Sequence, residues 1–173
     1  MRQTGCDYRS EACPKRLCGE FGGGTGRQAA NLLRHLLGDR PFADNWTDTC
    51  AFAGQNANVL RAGQKIDVAF IGDSLTSHWQ DFDAALFGEG RTNRGIPDHS
   101  SAHVLTRLGS GALALKPRVA HVLTGTNEVL GVHGPVTPAI WQGTMRAIVD
   151  SAGANGVTVI LGHPAAADEK PVR

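Results

Sequence analysis

The sequence lacks an excess of charge of either sign: 17 Lys and Arg stand against 16 Asp and Glu in 173 residues, a formal net charge of +1. That balance gives no electrostatic case for a nucleic-acid partner or an anionic membrane surface. It lacks an apolar run of about 18 residues, the length that crosses a bilayer as a helix. It also lacks a basic start backed by an apolar stretch, so no signal peptide is read. The chain as written is assigned to the cytoplasm, with a longer secreted form as the alternative. Cys6, Cys13, Cys18 and Cys50 include no C-x-x-C pair and no histidines at ligand spacing, which argues against a metal site. Free thiols are expected, with one disulfide in a secreted form as the alternative. The run Gly22-Gly23-Gly24-Thr25-Gly26 has no strand before it and no Gly-Lys-Ser/Thr after it. It reads as a flexible linker rather than a phosphate cradle.

What is present suits one globular domain. Apolar residues make up 41% and charged residues 19% of the chain, enough to build a core at this length. Residues 1–50 read as an irregular extension with one short amphipathic helix over Arg27 to Leu37. Residues 51–173 read as the domain. Ala51 to Arg61 is expected to be helical and to end at Gly63. Ile66–Ile71, Val119–Leu123 and Val157–Leu161 are short apolar runs bounded by turn signals, as buried parallel strands are. Trp79, Phe82, Leu86 and Phe87 recur at helical spacing. Ser100 can cap a helix carrying Val104, Leu105 and Leu108. Thr137-Pro138 starts another helix, with Ile140, Trp141, Met145, Ile148 and Val149 on its apolar stripe.

Strands alternating with helices imply βαβ units, an α/β fold with a parallel sheet covered on both faces. Chemistry in such sheets sits beyond the carboxyl ends of the strands. The ends carry Gly72-Asp73-Ser74-Leu75, Thr124-Gly125-Thr126-Asn127-Glu128 and Gly162-His163-Pro164. Ser74 follows a strand and opens a helix, so its hydroxyl is either a nucleophile at the sheet edge or a helix cap. Asn127 is either an amide donor for an oxyanion or a turn asparagine. Gly95 offers a backbone N–H and a close approach, or is an ordinary turn glycine.

Taken together, these blocks resemble the SGNH hydrolases, also called GDSL-type esterases and lipases. The blocks are Ile66 to Thr76, Asn93-Arg94-Gly95-Ile96, and Leu123-Thr124-Gly125-Thr126-Asn127-Glu128, within a resemblance that spans residues 51–165. The resemblance implies a three-layer α/β/α sandwich with a parallel sheet in flavodoxin-like order. It implies a small-molecule ester substrate, an acyl-enzyme on Ser74, and an oxyanion hole from the Ser74 N–H, the Gly95 N–H and the Asn127 amide. It implies no metal and no cofactor.

The family's last block, an Asp-x-x-His that supplies the base and its orienting carboxylate, has no counterpart in residues 163–173. The sheet is therefore expected to lack its last strand and helix, and catalysis to be impaired. His163, just past the third apolar run, is the named substitute base. His78, His99, His103 and His133 read as exposed or loop histidines. A binding module that keeps the pocket without catalysis is the second reading of the same residues.

Overall fold

The computed structural model describes residues 47–162, and the expected helix over Arg27 to Leu37 lies outside them, as does His163. The compact unit to which they belong begins at Thr47. In chain order it contains α1 (Ala53–Arg61), β1 (Val68–Gly72), α2 (Ser74–Phe82), β2 (Arg91–Gly95), α3 (Ser101–Gly111), β3 (Val119–Leu123), α4 (Thr126–Val129), α5 (Pro138–Ala154) and β4 (Thr158–Gly162). Short 3-10 turns at Ala84–Phe87 and Leu113–Leu115 link the larger elements.

The four strands form one sheet in the order β2-β1-β3-β4, and every pairing is parallel. This is the flavodoxin-like order, with its switch point between β1 and β3. Register aligns the strand ends: Gly72 lies opposite both Gly95 and Leu123, and Leu123 opposite Gly162. The segments that leave those four residues therefore share one edge.

Side chains alternate across the sheet as the pleat requires. On one face Ala69, Ile71, Ala120 and Val122 pack with Val104 and Leu108 of α3 and Met145, Ile148 and Ala152 of α5. On the other, Phe70 meets Trp79 of α2 and Phe87 edge-on, at 5.6 and 5.2 Å between ring centres. His121 lies in the same aromatic layer, 5.2 Å from Phe70. Helices thus lie on both faces of the sheet, the three-layer sandwich, while β4 at its border stays largely exposed.

Two readings of the sequence need correction. Arg91–Gly95 is a strand rather than a turn. Its sequence, Arg-Thr-Asn-Arg-Gly, has no apolar run because it borders the sheet, with β1 as its strand neighbour. Cys50 is in a disulfide and is not a free thiol. Its pairing depends on proximity in space, which cysteine spacing does not reveal. Among the described residues no helix is long and apolar enough to cross a membrane, and no cluster of His, Cys, Asp or Glu is placed to hold a metal.

Candidate active site

Ser74 is the first residue of α2. The chain reaches it through Gly72, where an added Cβ would stand 2.0 Å from the Leu123 carbonyl oxygen and 2.3 Å from Thr76 Oγ1. Only glycine fits there, and its absence of a side chain lets the turn press against β3. Asp73, not Ser74, caps the helix: its carboxylate accepts from the Leu75 N–H at 2.9 Å. The cap role weighed for Ser74 is therefore filled by its neighbour. The Ser74 N–H, at the helix start, belongs to the first turn, whose amides have no intrahelical acceptor.

Asp73 is fully buried and its Oδ2 bonds no group among the described residues. Burial raises its pKa above the usual carboxylate range, and the nearby Glu128 charge pushes the same way against the Leu75 bond. Glu128 Oε1 accepts from the Ser101 N–H, tying the start of α4 to the start of α3.

Asn127 stands at the end of β3, on α4, whose entry needs Gly125 at φ 126°. It is buried, and its Nδ2 donates to the His99 carbonyl at 2.8 Å. An amide nitrogen has two hydrogens, so one stays available after this bond. The His99 carbonyl is presented by a turn in which Asp98 takes φ 63°, a left-handed conformation that aspartate tolerates better than most residues.

Gly95 plays a different part from the one its motif suggests. Its N–H donates to Asn93 Oδ1 at 2.8 Å. The Asn93 amide in turn donates to the Thr76 and Ser77 carbonyls at 2.7 and 3.2 Å. A Cβ on Gly95 would meet Ser77 N at 2.2 Å. This glycine lets α2 lie directly on β2, and its N–H is engaged inside the protein.

Beneath these loops lies a buried cation. Arg107 of α3 is wholly enclosed. It donates to the Gly72 carbonyl at 2.8 Å, to the Arg94 carbonyl at 2.7 Å, and from Nε to His99 Nδ1 at 2.9 Å. Because Nδ1 accepts, the neutral His99 ring carries its proton on Nε2, which faces Asp48 Oδ2 at 3.1 Å. Burial holds His99 below the ordinary imidazole range, opposed by the Asp48 bond. Arg94 is buried beside it, donating to Asn56 Oδ1 at 2.7 Å. Phe52 underlies both cations, 4.8 Å from Arg94 and 5.9 Å from Arg107.

The other histidines take separate places. His103 Nδ1 lies 2.7 Å from Ser100 Oγ, and its ring stacks between those of His99 and His133 at 4.9 and 4.7 Å. His133 Nε2 meets the Asp98 carbonyl. His78 lies on α2, one turn beyond Ser74, with Nδ1 3.1 Å from Asp81 Oδ2. Sequence reasoning missed Arg107, Asp48 and Asp98. An arginine within an amphipathic helix reads as solvated, and nothing local marks the others.

The fold is α/β with a parallel sheet, and Ser74, Gly95 and Asn127 all lie at or just beyond the carboxyl ends of its strands. No family model and no curated protein matches the chain. Solved structures do. A candidate acylhydrolase from Bacteroides fragilis is 27% identical, with a TM-score of 0.62 over 69% of this chain and 58% of its own. A GDSL-like lipase from Bacteroides thetaiotaomicron is 25% identical, with a TM-score of 0.60 over 66% of this chain and 57% of its own. The chain is similar to these GDSL-type hydrolase structures in both sequence and fold. It spans less than three fifths of the length of these two relatives.

Proposed function

We propose that the protein hydrolyses carboxylic esters of small molecules through an acyl-enzyme on Ser74. The observation that carries this reading is the buried Asn127 amide, bonded to the His99 carbonyl at 2.8 Å, at the sheet edge where Ser74 opens α2. Attack by Ser74 Oγ on an ester carbonyl would place negative charge on the carbonyl oxygen. The Ser74 N–H and the second Asn127 hydrogen would meet that charge, and fixed donors of this kind contribute most of the stabilisation in acyl transfer. The α2 dipole favours negative charge at the same end.

Gly95 enters the proposal as the residue that admits α2 to its position. For its N–H to serve as a third donor, the bond to Asn93 would have to open. The two relatives, a candidate acylhydrolase and a GDSL-like lipase, support ester chemistry in general.

The test is trapping. Purified protein is mixed with a chromogenic acetate ester, quenched, and its peptides analysed by mass spectrometry. Acetyl is expected on the peptide bearing Ser74, and Ser74→Ala should abolish both adduct and release of the chromophore. Equal release by the Ala variant, or an adduct elsewhere, would remove Ser74 from the reaction.

A further inference from the structure

An oxyanion donor contributes most when it is already in place as charge develops. One residue stands behind both donors of this site. His99 is buried, and its peptide carbonyl accepts from Asn127 Nδ2 at 2.8 Å. Its ring Nδ1 accepts from Arg107 Nε at 2.9 Å, and Arg107 donates onward to the Gly72 carbonyl, two residues before Ser74. A continuous hydrogen-bonded chain therefore runs from the Ser74 turn through Arg107 and His99 to Asn127. Pro97 and Asp98, just before His99, are exposed, and Asp98 holds φ 63°, a conformation that persists where surrounding contacts fix it. The buried His99 ring is the inward anchor of this turn.

The Arg107 bond exists in one protonation state of the ring. A guanidinium can only donate, so Nδ1 must keep its lone pair, and the ring proton sits on Nε2, 3.1 Å from Asp48 Oδ2. A second ring proton would set donor against donor and cation against cation. The charged and titratable groups around the ring divide in sign. Asp48, from the segment before α1, is half-exposed and favours that proton. Arg107 and the His103 ring, the latter stacked at 4.9 Å, both stand on α3 and oppose it. Arg94 of β2 adds its charge beside Arg107, and the His133 ring lies beyond His103 at 4.7 Å. α4 brings the neutral Asn127 against the His99 peptide, and Glu128 toward His103.

We propose that His99 is the positioning residue of the oxyanion site, its neutral ring holding Arg107 beneath the Ser74 turn while its carbonyl holds Asn127. This rests on the reading of Ser74 as nucleophile and of Asn127 as a donor. His99 touches no reacting atom. It makes the two donors one unit, so that a change at the ring reaches both. Proton uptake at Nδ1 breaks the unit: the ring is repelled from Arg107, and the carbonyl on the same residue moves with it.

NMR of the nitrogen-15-labelled whole chain tests the link without turnover. The Asn127 side-chain amide, assigned by its loss in Asn127→Ala, and the Ser74 N–H are followed from about pH 7.5 to about pH 5, across the imidazole range. Both are expected to shift together with the His99 ring on one midpoint. His99→Asn keeps an oxygen close to the Nδ1 position and takes up no proton, so both signals should stay at their neutral-pH places throughout. His99→Leu removes the acceptor, and both should be displaced at every pH. In the chromogenic ester assay His99→Leu should lower kcat about tenfold to a hundredfold with KM unchanged, the scale of a small misplacement of reacting groups, and His99→Asn should recover most of that loss. If His99→Leu does not fold, the wild-type titration and His99→Asn decide. Signals that titrate equally in His99→Asn would overturn the inference, as would signals that stay fixed in the wild-type protein over this range. Turnover lost in Ser74→Ala but unchanged in His99→Leu would leave Ser74 standing and remove His99. No wild-type turnover, with the linked shifts present, would remove the Ser74 reading alone.

Discussion

Arg107 and Gly72 meet at 2.8 Å, the guanidinium donating to the carbonyl one residue before the Asp73-Ser74 turn. That carbonyl also accepts from the Ile96 N–H at 3.1 Å. One buried cation therefore fixes the exit of β1, the exit of β2 through Arg94, and the ring of His99. Replacing Arg107 with Met would fill the space but take this donor from His99 Nδ1 and the Arg94 carbonyl, leaving the Gly72 carbonyl to the Ile96 N–H alone. A buried acceptor that loses its donor costs about 1–3 kcal/mol, so a loss of about 2 kcal/mol or more in urea unfolding is expected. Arg107→Lys should recover little, since a single ammonium cannot reproduce the planar fork. Unfolding of Arg107→Met at the wild-type urea midpoint would show that the loops hold themselves.

Asn127→Ala separates chemistry from folding. The substitution removes the amide that would face the oxyanion, and a loss of about 100- to 1,000-fold in Ser74-dependent turnover is expected. It also strips the His99 carbonyl of its donor, so stability should fall by about 1–3 kcal/mol. The ester assay and a urea melt on the same preparation would read the two effects apart. Intact turnover with the stability loss would leave Asn127 a purely architectural role.

Two glycines give opposite outcomes. At Gly95 a methyl group would strike the backbone of Ser77, and overpacking of this kind costs about 1–3 kcal/mol. At Gly143, within α5, an added Cβ meets nothing within 4 Å. Gly143→Ala should stabilise the protein by about 0.5–1 kcal/mol, because alanine loses less backbone freedom in a helix. Thermal melts of both variants would check the contrast, and equal shifts would refute it.

Acid should weaken the fold before it reaches the carboxylates. His99, His103 and His121 are all held below the ordinary imidazole range, burial being the first cause in each. As pH falls through about 6.5 the unfolded chain takes up protons that the folded one refuses, so stability present above that pH is lost. Asp73 works in the other direction. Its raised pKa favours the folded state in acid, an advantage lost as pH rises through the folded value. Three imidazoles against one carboxyl should leave the urea midpoint lower at about pH 5.5 than at about pH 7.5. An equal or higher midpoint at the acid value would contradict this.

Much of the fold was legible because buried parallel strands are written in apolar residues. β1 and β3 stand out for that reason; β4 also follows its apolar run, but it borders the sheet and leaves Ile160 and Leu161 half exposed instead of buried as expected. β2 was not legible. Its one buried side chain is Arg94, which satisfies itself on Asn56 across 38 positions of sequence. The site divides in the same way. Ser74 and Asn127 are marked by their place after a strand. A glycine at Gly95 signals only that a Cβ is forbidden, and tertiary packing decides whether the reason is an exposed N–H or an approaching helix. Asp48 and Arg107 meet at His99 from far apart in the chain, which no local pattern records.

Phe52 has a practical consequence. Its ring lies under both buried guanidiniums, while Asp48, four residues earlier, meets His99. Both precede β1 by more than a dozen positions. Anyone trimming the chain to its sheet would cut away the floor of the site, and a shortened version should start no later than Thr47.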